Sequence, residues 1–383
     1  MKDFLNAIIY DTAIECAKDS RHQDIVDLLS KGPIKADSKQ ADSLINKNRQ
    51  LEEENARLKE ENSQFKIEVN RLTEFLFALK EKTSGMKFFN FDDYKDESVI
   101  GEGATSSVKL VSKKEKEKYA KKELKDFTHK TIQRFLGEGE ILFLFHHPCI
   151  VDIIAVNYGD ETHPPSLILS LEPKSLERVI ESKELDDKLK CRITTELVLG
   201  MRYIHSRNFM HRDLKPSNIL LSKNNHVRIS DFGLAREEDL ETSQSKGVGT
   251  LRFMAPELFV EDEDGSTKYT NKVDVYSFGI TLIYVVTGGY PRFNMRNAVN
   301  GVLPKLSDTI VSWVRDLIQR CLSFEPEKRP SFSEIFELLK LNNFDLFSES
   351  NGKNLTSKQQ SMKIEIEKRV LKIEAFEFQH QND

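Results

Sequence analysis

His211-Arg212-Asp213-Leu214-Lys215-Pro216-Ser217-Asn218 is the stretch on which the reading of this chain turns. Asp213 is followed by Lys215 and then Asn218, and the same chain carries Asp231-Phe232-Gly233 and Ala255-Pro256-Glu257 in that order. Three fixed residues with an asparagine at fixed spacing arise by chance about once in 20⁴ positions, and each tripeptide about once in 20³. Order lengthens the odds again, so coincidence is excluded.

Upstream, Ile100-Gly101-Glu102-Gly103-Ala104-Thr105-Ser106-Ser107-Val108 is a glycine loop between two strand-like runs. Any tight hairpin uses glycine, so the loop alone says little. In a nucleotide loop, Gly101 and Gly103 let backbone amides approach phosphate oxygens with no Cβ in the way, and a lysine should follow on the next apolar strand. Tyr119-Ala120-Lys121-Lys122 supplies it. The A-x-K spacing selects Lys122 and turns Lys121 to the opposite, solvent-facing side of the strand. Taken together, these motifs resemble those of the eukaryotic protein kinase family over residues 91–344. Within it they are most similar to the tyrosine-kinase-like serine/threonine kinases, through Lys215, Gly249-Thr250 and Arg329-Pro330-Ser331-Phe332.

The resemblance implies an α+β, bilobal protein kinase fold, with a β-rich small lobe, an α-helical large lobe and ATP in the cleft. Ile100, Gly101, Glu102, Gly103 and Ala104 would lie over the phosphates and Lys122 would take their charge. Asn218 and Asp231 would hold Mg2+, Asp213 would orient the acceptor hydroxyl and accept its proton, and Lys215 would steady the γ-phosphate. For the partner of Lys122, the helix before His147-Pro148-Cys149-Ile150-Val151 offers both Glu138 and Glu140, and family spacing back from Pro148 favours Glu138. Leu171-Glu172 resembles the gatekeeper and first hinge residue, so backbone from Glu172 onward would bond adenine while Val108, Ala120 and Leu220 enclose the ring. Glu257 and Arg329 would form a buried structural pair, and Asp274 would brace the catalytic loop. The chain departs from the family pattern at Ser106 in place of the third loop glycine, at Cys149 and Phe253, and in a short hinge, Glu172-Pro173-Lys174-Ser175-Leu176.

Outward from this region the composition changes. The 383 residues are 38% apolar and 31% charged, more charge than one packed core needs, which implies an elongated or solvated part. Leu44, Leu51, Leu58, Phe65, Leu72 and Leu79 recur every seven residues, and Ala41, Asn48, Asn55, Asn62, Val69 and Leu76 share their seam. Residues 41–82 are therefore expected to form a coiled-coil helix. Asn48, Asn55 and Asn62 at a-type positions, with Lys47–Glu52, Glu54–Lys59 and Glu61–Lys66 opposite in sign across a pair, favour a parallel homodimer. Before the coil, residues 1–40 read either as one partial ankyrin-like unit or as a plain helical hairpin. The tail, 345–383, spaces Met362, Ile366, Val370, Ile373 and Phe376 like a helix, yet alternates like a strand at Ile364-Glu365-Ile366-Glu367. Its class stays open on sequence.

A net charge of −5 argues against nucleic acid as a partner. Acidic residues interrupt any secretory run near the N-terminus, and no apolar stretch is long enough to span a bilayer, so the expectation is a cytoplasmic protein without a membrane anchor. The cysteines Cys16, Cys149, Cys191 and Cys321 stand far apart, as buried reduced thiols do and zinc or disulfide frameworks do not. Two readings follow. The first is an active serine/threonine kinase acting on protein hydroxyls, regulated by dimerisation and by phosphorylation at Thr242, Ser243 or Ser245; the second is a catalytically silent kinase-fold scaffold working through the coil.

Overall fold

Ser106 to Leu124 carries apolar residues at Val108, Leu110 and Val111 and again at Tyr119 and Ala120, separated by the charged stretch Lys113 to Lys118, and it folds back on itself as the middle of an antiparallel sheet. The computed structural model describes residues 87–114, 117–126, 129–160, 162–234, 236–237, 252–259, 269–289, 295–349 and 355–380. Residues 1–40, the heptads of 41–82 and the candidate phosphosites Thr242, Ser243 and Ser245 lie outside these. The chain divides into two compact units, residues 1–88 with 159–163, and residues 89–158 with 164–383. In the first, Asp160 closes a tight turn by accepting from the backbone N–H groups of Thr162 and His163, at 2.7 and 2.8 Å.

The second unit opens with five antiparallel strands, β1 (Tyr94–Glu102), β2 (Ser106–Lys113), β3 (Glu117–Leu124), β4 (Ile153–Asn157) and β5 (Ser166–Ser170), in the order β1-β2-β3-β5-β4. Helix α1 (His129–Leu144) sits between β3 and β4 in sequence. One end of the sheet buries Phe89, Tyr94, Val111, Ala155 and Ile168 in a common cluster. The same face carries, beside that cluster, an arrangement the sequence did not foretell. Lys121 points away from Lys122 as alternation requires, yet it is only 6% exposed rather than solvent-facing. Asp96 on β1, Lys109 on β2, and Lys121 and Glu123 on β3 form a closed ring of alternating charge: Lys121 meets Asp96 and Glu123, and Lys109 meets the same two carboxylates. Each ammonium lies between two carboxylates, so the long stems lie down across the strands and cover one another.

The rest of the unit is mainly helical: α2 (Leu176–Glu181), α3 (Asp187–Ser206), α4 (Lys272–Thr287), α5 (Met295–Val299), α6 (Ser312–Cys321), α7 (Phe332–Leu341) and α8 (Ser357–Gln379). Two small sheets accompany them, built from β6 (Lys174–Ser175), β8 (Ile219–Leu221) and β9 (Val227–Ile229), and from β7 (Phe209–Met210) and β10 (Arg236–Glu237). Helix α4 is apolar around its whole circumference, which marks a central core helix, and Val273 to Val285 are all buried. Beneath it Arg329, 1% exposed, forks onto both oxygens of Glu257 at 2.5 and 2.8 Å and donates to the carbonyls of Ser323 and Lys272. A buried guanidinium persists only when its donors are spent in this way.

The tail resolves as a helix. Thr356 and Gln359 form a capping box at the start of α8, and Met362, Ile366, Val370 and Ile373 are buried at helical spacing. Its polar residues reach across to α3: Glu365 pairs with Lys188 and Arg192, and Arg369 with the buried Glu196 at 3.1 Å. Cys149, Cys191 and Cys321 are free and buried, as their spacing implied. No helix of the described residues is long and apolar enough to cross a membrane.

Candidate active site

Four pieces of chain converge where the five-stranded sheet meets the helical part: β3, α1, the loop after β7 and the turn after β9. Lys122 lies on β3 opposite Val108 of β2 and Leu167 of β5. Its Nζ is 2.7 Å from both oxygens of Glu138 on α1 and 3.0 Å from Asp231 Oδ1. Glu140, the alternative, points outward and is exposed. Burial works against the Lys122 ammonium, but Asp231 and Glu138 more than offset it, and its pKa is driven upward. The same ammonium holds the Asp231 carboxyl below its ordinary range. Burial pushes Glu138 the other way, against the pull of Lys122.

The loop before β2 is closed by a hydrogen bond from the Gly103 N–H to the Ser106 carbonyl, 2.8 Å. A Cβ on Gly103 would stand 3.2 Å from that carbonyl oxygen, so a side chain there would crowd the turn. Ser106 contributes through its carbonyl, a group every residue has, which explains why the third glycine is dispensable. Glu102 in this loop is tied to Lys125 beyond β3 at 2.5 Å.

In the catalytic-loop stretch, backbone geometry is imposed from below. Asp274, fully buried on α4, accepts from the N–H groups of His211 and Arg212 at 2.8 Å each and from His205 Nε2 at 2.9 Å. Burial pushes the Asp274 carboxyl up, but His205, His211 and the Arg212 amide outweigh it and hold the group below its ordinary range. Arg212 has φ 66° and Asp231 φ 67°, left-handed values that non-glycine residues adopt only when the surroundings fix them. His211 Nδ1 faces the Asp213 N–H at 3.3 Å and Nε2 faces the Ser230 carbonyl at 3.0 Å, which assigns the proton to Nε2. Asp213 Oδ2 accepts from Lys215 Nζ at 2.7 Å and from Asn218 Nδ2 at 2.9 Å. Asn218 also donates to the Asp213 carbonyl, and its own carbonyl accepts from Ser230 N and Oγ, both at 2.9 Å. The turn carrying Asp231 is thereby locked to the loop carrying Asp213.

Phe232 is 1% exposed and packs against Phe145 and His211, with ring centres 5.5 and 4.9 Å away. Gly233 then passes so close to α1 that a Cβ there would stand 3.3 Å from Glu138 Oε2. Sequence reasoning had no signal for that approach, since the motif names the glycine but not its neighbour. Of the residues expected to enclose adenine, Ala120 is buried and Val108 and Leu220 partly so, with Leu220 on β8 paired to Ser175 and Arg228. The Glu172 side chain turns away from its own backbone: Oε1 accepts from Ser170 Oγ at 3.1 Å and lies 3.7 Å from Arg228 Nε. Burial raises its carboxyl, and Arg228 moderates the rise.

Comparison with known proteins agrees with this geometry. A protein kinase domain model matches residues 94–339. The chain is 33% identical over 276 residues to a probable serine/threonine-protein kinase of Dictyostelium discoideum, covering 67% of this chain and 20% of that protein. To the serine/threonine/tyrosine-protein kinase HT1 of Arabidopsis thaliana it is 35% identical over 222 residues, 54% of each chain. To the serine/threonine-protein kinase TNNI3K of Mus musculus it is 30% identical over 236 residues, 58% of this chain and 28% of the relative. The chain thus spans between a fifth and about half of the length of these relatives. A domain match running from β1 to α7, over residues that form one lysine–glutamate–aspartate cluster beside one aspartate–lysine–asparagine cluster, places the chain in the protein kinase family.

Proposed function

We propose that this chain is a serine/threonine protein kinase that moves the γ-phosphate of ATP onto a protein Ser or Thr hydroxyl. The observation that carries the reading is the juxtaposition of Lys122, Glu138 and Asp231 on one side of the site with Asp213, Lys215 and Asn218 on the other. The donor set fits the nucleotide: Lys122 is a cation held charged beside the glycine loop, and Asp231, whose side chain is 44% exposed, presents a carboxylate for Mg2+ from the turn that Ser230 ties to Asn218. Bound Mg2+ supplies charge neutralisation on the phosphate oxygens. Lys122 holds phosphate oxygens in place. Asp213 orients the acceptor hydroxyl; as its oxygen bonds to the γ-phosphorus and the bridge to the β-phosphate breaks, the hydroxyl proton passes to Asp213. Lys215, already on Asp213, places a positive charge where the transferring group gains negative charge.

The second reading, a silent scaffold, loses its usual warrant because the lysine and both aspartates are in place. ADP formation by the purified protein with Mg2+ and a peptide library decides between them, with Asp231→Ala as control. No ADP from the wild type, or equal ADP from the control, overturns the enzyme reading.

Three further assignments complete it. Residues 41–82 form a parallel coiled-coil homodimer that holds two kinase domains within a short tether of each other, and phosphorylation at Thr242, Ser243 or Ser245 occurs in trans within that pair. The support is the heptad pattern and its asparagines. The setting is cytoplasmic, consistent with reduced, buried thiols at Cys149, Cys191 and Cys321.

A further inference from the structure

Helix α8 lies beyond the matched kinase domain, and its last turn reaches the loop that joins α1 to β4. There Glu377 Oε1 is 3.1 Å from Nε2 of His147, an imidazole with no exposed side-chain surface. The Cys149 N–H donates to His147 Nδ1 at 3.0 Å, so Nδ1 is unprotonated and the single ring proton sits on Nε2, aimed at Glu377. Burial keeps His147 neutral by pushing its pKa down; Glu377 resists, while Arg202 and Arg369 act with burial. The other Glu377 oxygen accepts from Arg202 on α3 at 3.1 Å. Glu377 thus bonds two groups outside α8, one of them on the loop.

That loop leads directly to Glu138. His147 stacks on Tyr203 of α3 at 4.7 Å, and Phe145, two residues earlier, packs edge-on against Tyr203 at 6.0 Å and against Phe232 at 5.5 Å. The Phe145 N–H bonds the Ile141 carbonyl at 3.1 Å, so the turn of α1 continues into this anchor without a break. Glu138 lies two helical turns upstream, about 10 Å along the axis. A helix fixed at one end by His147 and Phe145 presents Glu138 to Lys122 at a set height.

We infer that Glu377 is a positioning residue for the proposed phosphotransfer, acting through His147 to hold Glu138 on Lys122. The inference rests on the kinase reading for its kinetic consequence but not for its structural one. The full chain is compared as wild type, Glu377→Ala, Glu377→Gln and Glu365→Ala, the last cutting a different tie between α8 and α3. Two quantities are read: amide hydrogen exchange over residues 138–147, and KM for ATP against kcat. In Glu377→Ala, exchange over 138–147 should accelerate about tenfold or more and KM for ATP should rise several-fold. Glu377→Gln, which keeps an oxygen for the Nε2–H, should restore both. Glu365→Ala should speed exchange in α8 alone. Glu377→Asp, one methylene short of His147, is read the same way should the alanine variant not fold. If Glu377→Ala matches Glu365→Ala in exchange and in KM, Glu377 merely fastens α8 and the inference is overturned. An inactive wild type sinks the kinase reading instead, and the exchange comparison still decides the positioning role.

Discussion

Replacing Arg369 with Met tests whether α8 is an integral part of the kinase unit. Glu196 on α3 is a carboxylate with 2% of its side chain exposed, and it has three partners: His226 Nδ1 at 2.8 Å, the Val227 N–H at 2.8 Å and Arg369 Nε at 3.1 Å. Breaking a buried ion pair outright costs about 3–5 kcal/mol, and a hydrogen bond to a charged group is worth about 1.5–3. Two of the three partners survive the substitution, and the Arg369 side chain is itself 20% exposed, so the loss should fall near 2 kcal/mol. In a Glu196→Gln background the same change should cost less than about 1 kcal/mol, leaving a coupling of at least about 1. Urea unfolding followed by the fluorescence of Trp313, the one tryptophan, whose Nε1 donates to the Ser348 carbonyl at 3.2 Å, measures all four corners of the cycle. The pH dependence has a definite sign. Burial raises the Glu196 pKa, but His226, Arg369 and the Val227 amide together bring it below the ordinary value. A depressed carboxyl stabilises the fold above the unfolded pKa, near 4.3, and loses that contribution as pH falls through the folded value. The gap between wild type and Arg369→Met should therefore narrow as pH is taken from 7 towards 3. A loss below about 0.5 kcal/mol at pH 7, or additivity in the cycle, refutes the reasoning.

Lys121→Met should leave turnover per folded molecule unchanged while lowering stability by about 1–2 kcal/mol in urea titration, because it opens the charge ring on the outer face of the sheet; a collapse of turnover would mean that Lys121, not Lys122, faces the nucleotide. With Cys16 changed to Ser, no thiol should react with a chromogenic disulfide reagent in the native protein and three should react in urea. Burial drives the Cys149 thiol well up and pushes those of Cys191 and Cys321 up to about 12. Polar replacement of Leu51, Leu58 and Leu72 should turn a dimer into a monomer in sedimentation at micromolar concentration, and a wild-type monomer or trimer would refute the reading of Asn48, Asn55 and Asn62.

What was legible in the sequence was whatever short-range spacing encodes. The Asp213 to Asn218 interval fixes two side chains on one loop, and strand alternation separates Lys122 from Lys121. Alternation gives direction but not surroundings, which is why Lys121 faces away from the cleft as expected and is nevertheless covered. Family spacing back from Pro148 favoured Glu138 over Glu140, while the residues alone could not decide, because the phase of α1 against β3 is carried by no local periodicity. The tail shows both periods over a few residues, and only the burial of Met362, Ile366, Val370 and Ile373 makes the helical one the true one. Its polar partners were out of reach altogether: Glu377 meets His147 at a separation of 230 residues and Arg369 meets Glu196 at 173. Complementary charge on two distant segments has no signature until a fold brings them together.

That separation sets an order of events on the ribosome. At about 5–20 residues per second, the 173 positions between Glu196 and Arg369 take roughly 10–35 seconds to synthesise, and domains begin to fold as they emerge. His226, only 30 residues downstream of Glu196, is synthesised early enough to be available to the carboxylate for most of that interval. The nascent large lobe can therefore close around α3 early, while the groove that Met362, Ile366, Val370 and Ile373 of α8 will later fill waits uncovered. A chaperone that recognises apolar surface would find its target there, and a stalled or truncated chain would display that groove permanently.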